Sequence, residues 1–519
     1  MSDRIRMSGM ISGMDTDSIV QQLVQAKSTK VDKMKGTLQK TEWKQDIWKE
    51  LNTKMYSFYS KTLDNMRNEG SFNKMKASIV DSSIASVSAS SSAVIGTQTL
   101  AVKQLAKSGY ITGGKIASSD ASSGDTTLYK LGALTSEDEV TVKIKSSADG
   151  DYEEITLNQG MTLTQVASAF AEKGINASYD ATNQRFFLSS KESGADADFD
   201  ITADSDEGLA VLANLGLSAS GATDDEENEI AGAWNNIDGQ DAIIYLNGAE
   251  FESSTNTFSI NGLSITAQSV SEKDTNGDYI TTNVSTSSDV DAIYDMIKDF
   301  FSEYNELIKE MDEKYNAESS SSYDVLTDDE KSAMSEDEIE KWNEKIKSGL
   351  LRRDESLNKN IRMFKDAMSS MFEVGDSSYS LSSFGIGTLS YFLAGDNEKG
   401  VYHIDGDEDD TNTSGNEDKL KTMIATDPET VTSFFTQLSN NLYKQITEAT
   451  KHSEYRSVYS MYDDKTLQEE YDNLESDIAD EEESLADFED SYYDKFAAME
   501  TALAKLQEKQ NAISSLLGS

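Results

Sequence analysis

The chain has 519 residues, with 46 Lys and Arg against 94 Asp and Glu, for a net charge of −48. So negative a balance repels phosphate backbones and anionic lipid surfaces, which excludes nucleic acid as a partner, and no apolar run approaches a membrane span, so membrane insertion is not expected. With no cysteine and two histidines, the material for disulfides, thiolate chemistry, triads and zinc sites is missing; neither enzymatic activity nor a cofactor is expected.

The opening twenty residues lack the apolar stretch of a secretory signal. The expectation is a cytoplasmic protein, or one that leaves the cell by a route reading no cleavable signal. Asp15, Thr16 and Asp17 offer capping oxygens ahead of Ile19-Val20-Leu23-Val24. From Ile19 to about Met66 apolar residues recur at steps of three and four, predicting one or two long helices over about 16–68 that end near Gly70, with Ile19, Leu23 and Leu38 on the seam. Trp43 and Trp48 are expected to pack inside a helical leg.

After residue 76 the period changes to two. Short alternating bursts at 77–80, 85–88 and 97–102 predict strands, as do 140–144, 154–157, 185–188 and 199–201. Helices are expected at 162–173, where Leu163, Val166, Ala167 and Phe170 share a face, and at 206–215. Residues 218–240, with the acidic run 224–227, read as a boundary beside Trp234, for which an exposed contact and a hinge-packing role are equally open. Two later strands end in Asn247-Gly248 and Asn261-Gly262, a dipeptide favoured in tight hairpins.

Helical spacing resumes at Val290, Ile293, Ile297, Phe300, Tyr304 and Ile308, continues in a block over about 336–372, and returns after Asp427-Pro428, where the single proline suits a first helical turn. The stretch 400–420 reads as an acidic linker, with His403 a solvated loop residue. Its acidic run 405–410 and the group around Asp274 both put the wrong residue where a calcium loop needs its glycine.

The last arm carries a longer stripe: Leu467, Tyr471, Leu474, Ile478, Leu485, Phe488, Tyr492, Phe496, Met499, Leu503, Leu506, Ile513 and Leu517, with Glu481 and Gln510 where apolar residues would fit. No Gly or Pro interrupts it before Gly518, so a helix of roughly 75 Å is expected at 1.5 Å per residue. The four-plus-four step through Phe488, Tyr492 and Phe496 would locally unwind a supercoil. Residues 1–80 carry +5 and residues 451–519 carry −12, a bias that favours pairing the two arms and selects orientation more than it adds stability.

Together these patterns give an α+β multidomain chain with long terminal coiled-coil helices, a helical leg, and two β-rich head domains inserted in the middle. The expected limits are 1–42 with 465–519 for the arms, 43–76 with 288–464 for the leg, 77–130 with 238–287 for an inner head domain, and 131–237 for an outer one.

Two segments, Ser12-Gly13-Met14-Asp15-Thr16-Asp17-Ser18-Ile19-Val20-Gln21-Gln22-Leu23-Val24 and Glu42-Trp43-Lys44-Gln45-Asp46-Ile47-Trp48, closely resemble the N-terminal region of the bacterial flagellar filament cap family, hook-associated protein 2. Gly96-Thr97-Gln98-Thr99-Leu100-Ala101-Val102 and Phe258-Ser259-Ile260-Asn261-Gly262-Leu263-Ser264-Ile265-Thr266 are similar to later segments of that family. The resemblance implies a structural protein at the filament tip, exported through the flagellar channel by an uncleaved signal after being held by an export chaperone. It implies a homo-oligomeric ring, commonly a pentamer, that touches flagellin, promotes its insertion and prevents its loss. A tip adhesin binding mucin or host glycans through the head domains is the alternative.

Overall fold

The computed structural model describes residues 13–137, 139–218, 234–390, 392, 394–395 and 398–518. They form two compact units, one from residues up to Phe72 and from Val290 onward, the other from Asn73 to Asp289. The acidic run 224–227 lies outside the described residues. Among those described, no helix is long and apolar enough to cross a membrane.

In the helical unit the first helix is Thr16–Ser57, started by Asp15, whose side chain accepts from the Ser18 amide. A wide π-helical turn, Phe58–Leu63, continues it and places Phe58, Tyr59 and Leu63 in the core. Three further helices, Val290–Asn316, Glu355–Met368 and Pro428–Ala449, pack on it. Their apolar residues recur every three or four positions, so Ile297, Phe300, Phe301, Tyr304, Phe364, Phe434 and Phe435 close one aromatic-rich core with Trp48, Leu51 and Met55. Pro428 stands in the first turn and Asp427 caps it by accepting from the Thr430 amide, so the missing proline N–H costs no hydrogen bond.

Three expectations in this unit are corrected. The block 336–372 is two helices, Glu336–Ser348 and Glu355–Met368, because Arg353 turns the chain through φ +56° and Asp354 caps the second helix. The stretch 400–420 is not a plain linker: Tyr402–Ile404 pairs antiparallel with Ile386–Thr388, and a helix, Lys419–Thr426, begins inside it. His403 is not a solvated loop residue. Its strand buries most of the ring, and Nδ1 shares a hydrogen bond with Asp410.

The β-rich unit holds two cores. The inner one lies between a five-stranded antiparallel sheet, in spatial order Met75–Ile79, Thr282–Ser288, Gly96–Gln104, Ala242–Leu246, Ala249–Ser253, and a three-stranded sheet of Thr257–Ile260, Leu263–Ala267 and Ala85–Ala89. Alternation puts Ala242, Ile244 and Leu246 inward from one sheet and Leu263, Ile265 and Ala267 inward from the other. Both Asn-Gly hairpins have positive φ at each central residue, +52° and +82° at Asn247-Gly248, +47° and +80° at Asn261-Gly262. At Gly262 a Cβ would also come within 2.5 Å of the Ala93 amide nitrogen, so that position requires glycine twice over.

The outer core joins a sheet of Asn235–Ile237, Tyr110–Thr112, Arg185–Ser189 and Asn176–Asp180 to a second of Glu153–Leu157, Val140–Lys145 and Asp200–Thr202. Helices Leu163–Glu172 and Asp206–Asn214 add to it. Here the sequence boundary is corrected: Ile111, Ile116, Ala121 and Leu128, expected in the inner domain, are buried in the outer core. The chain crosses between the two at the Lys107–Gln240 bridge, well before residue 130. Strand Tyr110–Thr112 is too short to reveal by sequence which sheet it joins.

Candidate assembly interface

The first helix and the last, Asp464–Leu517, lie antiparallel as a pair. Gln45 stands opposite Leu467, its amide donating to the Leu467 carbonyl and to Gln468 Oε1, each at 3.3 Å. Further out Lys30 pairs with Glu481 at 2.5 Å and Lys35 with Glu482 at 2.6 Å. Lys27 places its ammonium 4.4 Å from the centre of the Phe488 ring. These contacts join the basic arm to the acidic one, and hydrogen bonding to Glu482 holds the Lys35 ammonium above its usual pKa.

Each contact follows from local sequence. At steps of seven, three, four and three, Val31, Leu38, Thr41, Gln45 and Trp48 share one face of the first helix. Thr41 and Gln45 are buried polar interruptions of that face. A buried polar seam residue lowers affinity while fixing register, because only one alignment satisfies it. Glu481, which stands where an apolar residue would fit, is the acceptor for Lys30.

At the root of the pair Trp48 and two asparagines fix the incoming chain. Trp48 is 1% exposed and stacks on Tyr462, ring centres 4.8 Å apart and planes 8° from parallel. Asn52 holds the incoming chain from both sides: its amide donates to the Tyr459 carbonyl at 3.2 Å, and its Oδ1 accepts from the Met461 amide at 2.9 Å. Asn360 donates to the Met461 carbonyl at 2.8 Å. None of this was visible as a motif, because Trp48, Asn52, Asn360 and the 459–462 turn come from three distant segments.

Burial declines along the last helix. Leu467 and Ile478 are buried, while Tyr471, Leu474, Leu485, Phe488, Tyr492, Phe496, Met499 and Leu503 are half-buried. By register Thr16 falls opposite the Phe496–Met499 turn, and beyond it Leu506 is 63% exposed and Ile513 56%. The side chain of Leu517 lies outside the described residues. On the first helix Leu23 and Leu38 are half-buried, but Ile19 is 37% exposed and its neighbour Val20 is fully buried, so the seam runs through Val20.

The other residues singled out by sequence serve packing. Trp43 is half-buried with the Lys347 ammonium 5.1 Å from its ring centre, and Trp234 packs partly buried on the outer core. Asp407 and Asp409 are both occupied by Lys298 at 2.6 Å. Asp274 Oδ1 accepts from the Asn276 and Asp278 amides, so that loop is closed on itself.

The architecture is that of a multidomain α+β protein whose termini return to one helical pair, with β-rich domains inserted midway. A family model described as the flagellar hook-associated protein 2 C-terminus matches residues 239–508, and one described as its N-terminus matches residues 12–109. The chain belongs to the flagellar hook-associated protein 2 family. It is 25% identical over 482 residues to the flagellar hook-associated protein 2 of Halalkalibacterium halodurans, covering 88% of this chain and 84% of that one. To the protein of the same name from Thermotoga maritima it is 26% identical over 401 residues, 75% of this chain and 57% of that one. The crystal structure of the flagellar cap protein FliD D1-D2-D3 domains from Escherichia coli aligns at 17% identity over 83% of this chain and 99% of that one, with a TM-score of 0.47.

Proposed function

We infer that this chain is a structural cap at the distal tip of the bacterial flagellar filament, outside the cell, where it promotes flagellin insertion and prevents loss of exported subunits. Family membership supports the tip location. The observation that carries the mechanism is the decline of burial along the last helix: an anchored root, a half-buried middle, and an end that presents Leu506 and Ile513. Exposed apolar side chains on a helix are surface available to a partner, and here flagellin at the tip is that partner. Several copies form a ring, a pentamer by resemblance, so many weak arm contacts hold it on while each exchanges separately. Before export, a chaperone of the flagellar route covers the same apolar surface.

The test is complementation of a cap-deletion strain with the full chain and with one ending at Met499. The full chain restores long filaments, and the shortened one leaves short filaments and flagellin in the medium. Filaments of normal length from the shortened chain would overturn the reading.

A further inference from the structure

The first helix has a second partner that its seam does not use. Residues 317–354 run from the end of helix Val290–Asn316 to the start of helix Glu355–Met368. They include two short helices, Asp328–Ser332 and Glu336–Ser348, each begun by a capping box. The segment is internally braced: Trp342 Nε1 donates to the Asp324 carbonyl at 2.8 Å, Tyr323 meets Trp342 edge-on, and Lys345 pairs with Glu318 at 2.7 Å. Leu326, Ile346 and Leu351 are buried.

This braced segment touches the first helix along one line. A Cβ at Gly36 would lie 3.5 Å from Val325 Cβ, so the chain passes closely there. Lys40 donates to the Tyr323 carbonyl at 3.2 Å, Trp43 lies under Lys347, and Lys44 pairs with Asp354 at 3.0 Å. Gly36, Lys40, Trp43 and Ile47 recur at steps of four, three and four, a single helical face. At about 100° per residue that face lies opposite the one through Leu38, Thr41, Gln45 and Trp48 that meets the C-terminal helix. Between residues 36 and 44 the first helix is therefore held from both sides. At Lys35 the Asp328 carboxylate of the segment still acts electrostatically on the ammonium, and the contacts described above further out come from the C-terminal helix.

The geometry points to residues 317–354 as a clamp that sets where the arm pair can bend. The clamp fixes the root as far as Gly36, and the fulcrum of the tip lies at Val31–Lys35 against Ile478–Glu482. This deepens the capping reading, in which the arms must move while their root stays attached, and it names the device that separates the moving part from the fixed part. It rests on packing within the helical unit alone.

Hydrogen exchange on the full-length chain, followed residue by residue along Thr16–Ser57, tests it. Without the clamp, protection would rise where the aromatic core begins, at Trp48. With it, the rise comes at Gly36, and amides 36–47 exchange about tenfold more slowly than amides 20–34. Trp43→Ala moves the rise back toward Trp48 while amides of Val290–Asn316 and Pro428–Ala449 stay protected. The surface pair Lys40→Ala and Lys44→Ala gives a smaller shift in the same direction. A rise at Trp48 in the unaltered chain, or a rise at Gly36 that both variants leave in place, would overturn the clamp. Neither result depends on filament growth, so the clamp and the capping role fail separately.

Discussion

The aromatic core of the helical unit and the arm pair that extends from it are built from the same sequence period, yet they bury their stripes to different extents. Phe300, Phe364 and Phe434 are wholly enclosed, because they sit inside the one core that these helices share. Leu503, on a stripe no less regular, is half-buried, and Leu506 is mostly exposed. Periodicity states which side of a helix is apolar; how many neighbours that side receives depends on what the chain brings back to it. The core is built to stay folded, whereas the arm tip keeps apolar area in reserve.

The comparison is tested most sharply where the difference is largest. Phe434→Ala removes a ring that meets Phe384, Phe435 and Phe372, and is expected to cost about 3–5 kcal/mol in urea denaturation of the full chain. Trp48→Ala stands at the junction of the two regions. It loses the Tyr462 stack and is expected to cost about 3 kcal/mol, with near-ultraviolet dichroism reporting release of the arm root.

A smaller effect is tied to pH. Burial pushes the Asp464 carboxyl up, but hydrogen bonds from Ser457 outweigh it, leaving the folded-state pKa below the ordinary carboxylate value. A group depressed on folding contributes stability above its unfolded pKa of about 4 and loses that contribution as pH falls through the lower folded value. Asp464→Asn should therefore lower the melting temperature at neutral pH and leave it nearly unchanged in strong acid; an equal shift at both would refute the role.

At the outer arm the expected stability changes are small. Glu481→Gln breaks the Lys30 pair, with Lys30 largely exposed, and should cost no more than about 0.5 kcal/mol at low salt and less at high salt. Leu506→Ala should cost under about 0.5 kcal/mol by thermal melting, because its side chain buries little. In filament-length measurements the same substitution should show a clear defect. If it shifts the melting temperature as Trp48→Ala does, the contrast between core and tip fails.

Much of the local structure is legible in the sequence. The start of the first helix at Asp15, the entry at Asp427-Pro428, the two Asn-Gly hairpins and the helix Leu163–Glu172 each rest on a few neighbouring residues whose conformational preferences agree. Family membership was legible for a related reason, since the segment around Gly13–Val24 is read along the chain. What was missed involves a distant partner. Short strand Tyr110–Thr112 joins the outer sheet through residues 185–189 and 235–237. His403 is buried because Ile386–Thr388 pairs with its strand, and Val20 takes the seam in place of Ile19 through a rotation of the helix that a three-four repeat leaves open.

By itself, the sequence determined the periods, caps, turns and charge signs of this protein, because these act over a few residues or sum over the whole chain. Only the tertiary structure decided which apolar stripe is enclosed, which is half-covered, and which face of the first helix meets the 317–354 segment. Burial is a property of neighbours, and those neighbours lie hundreds of residues away.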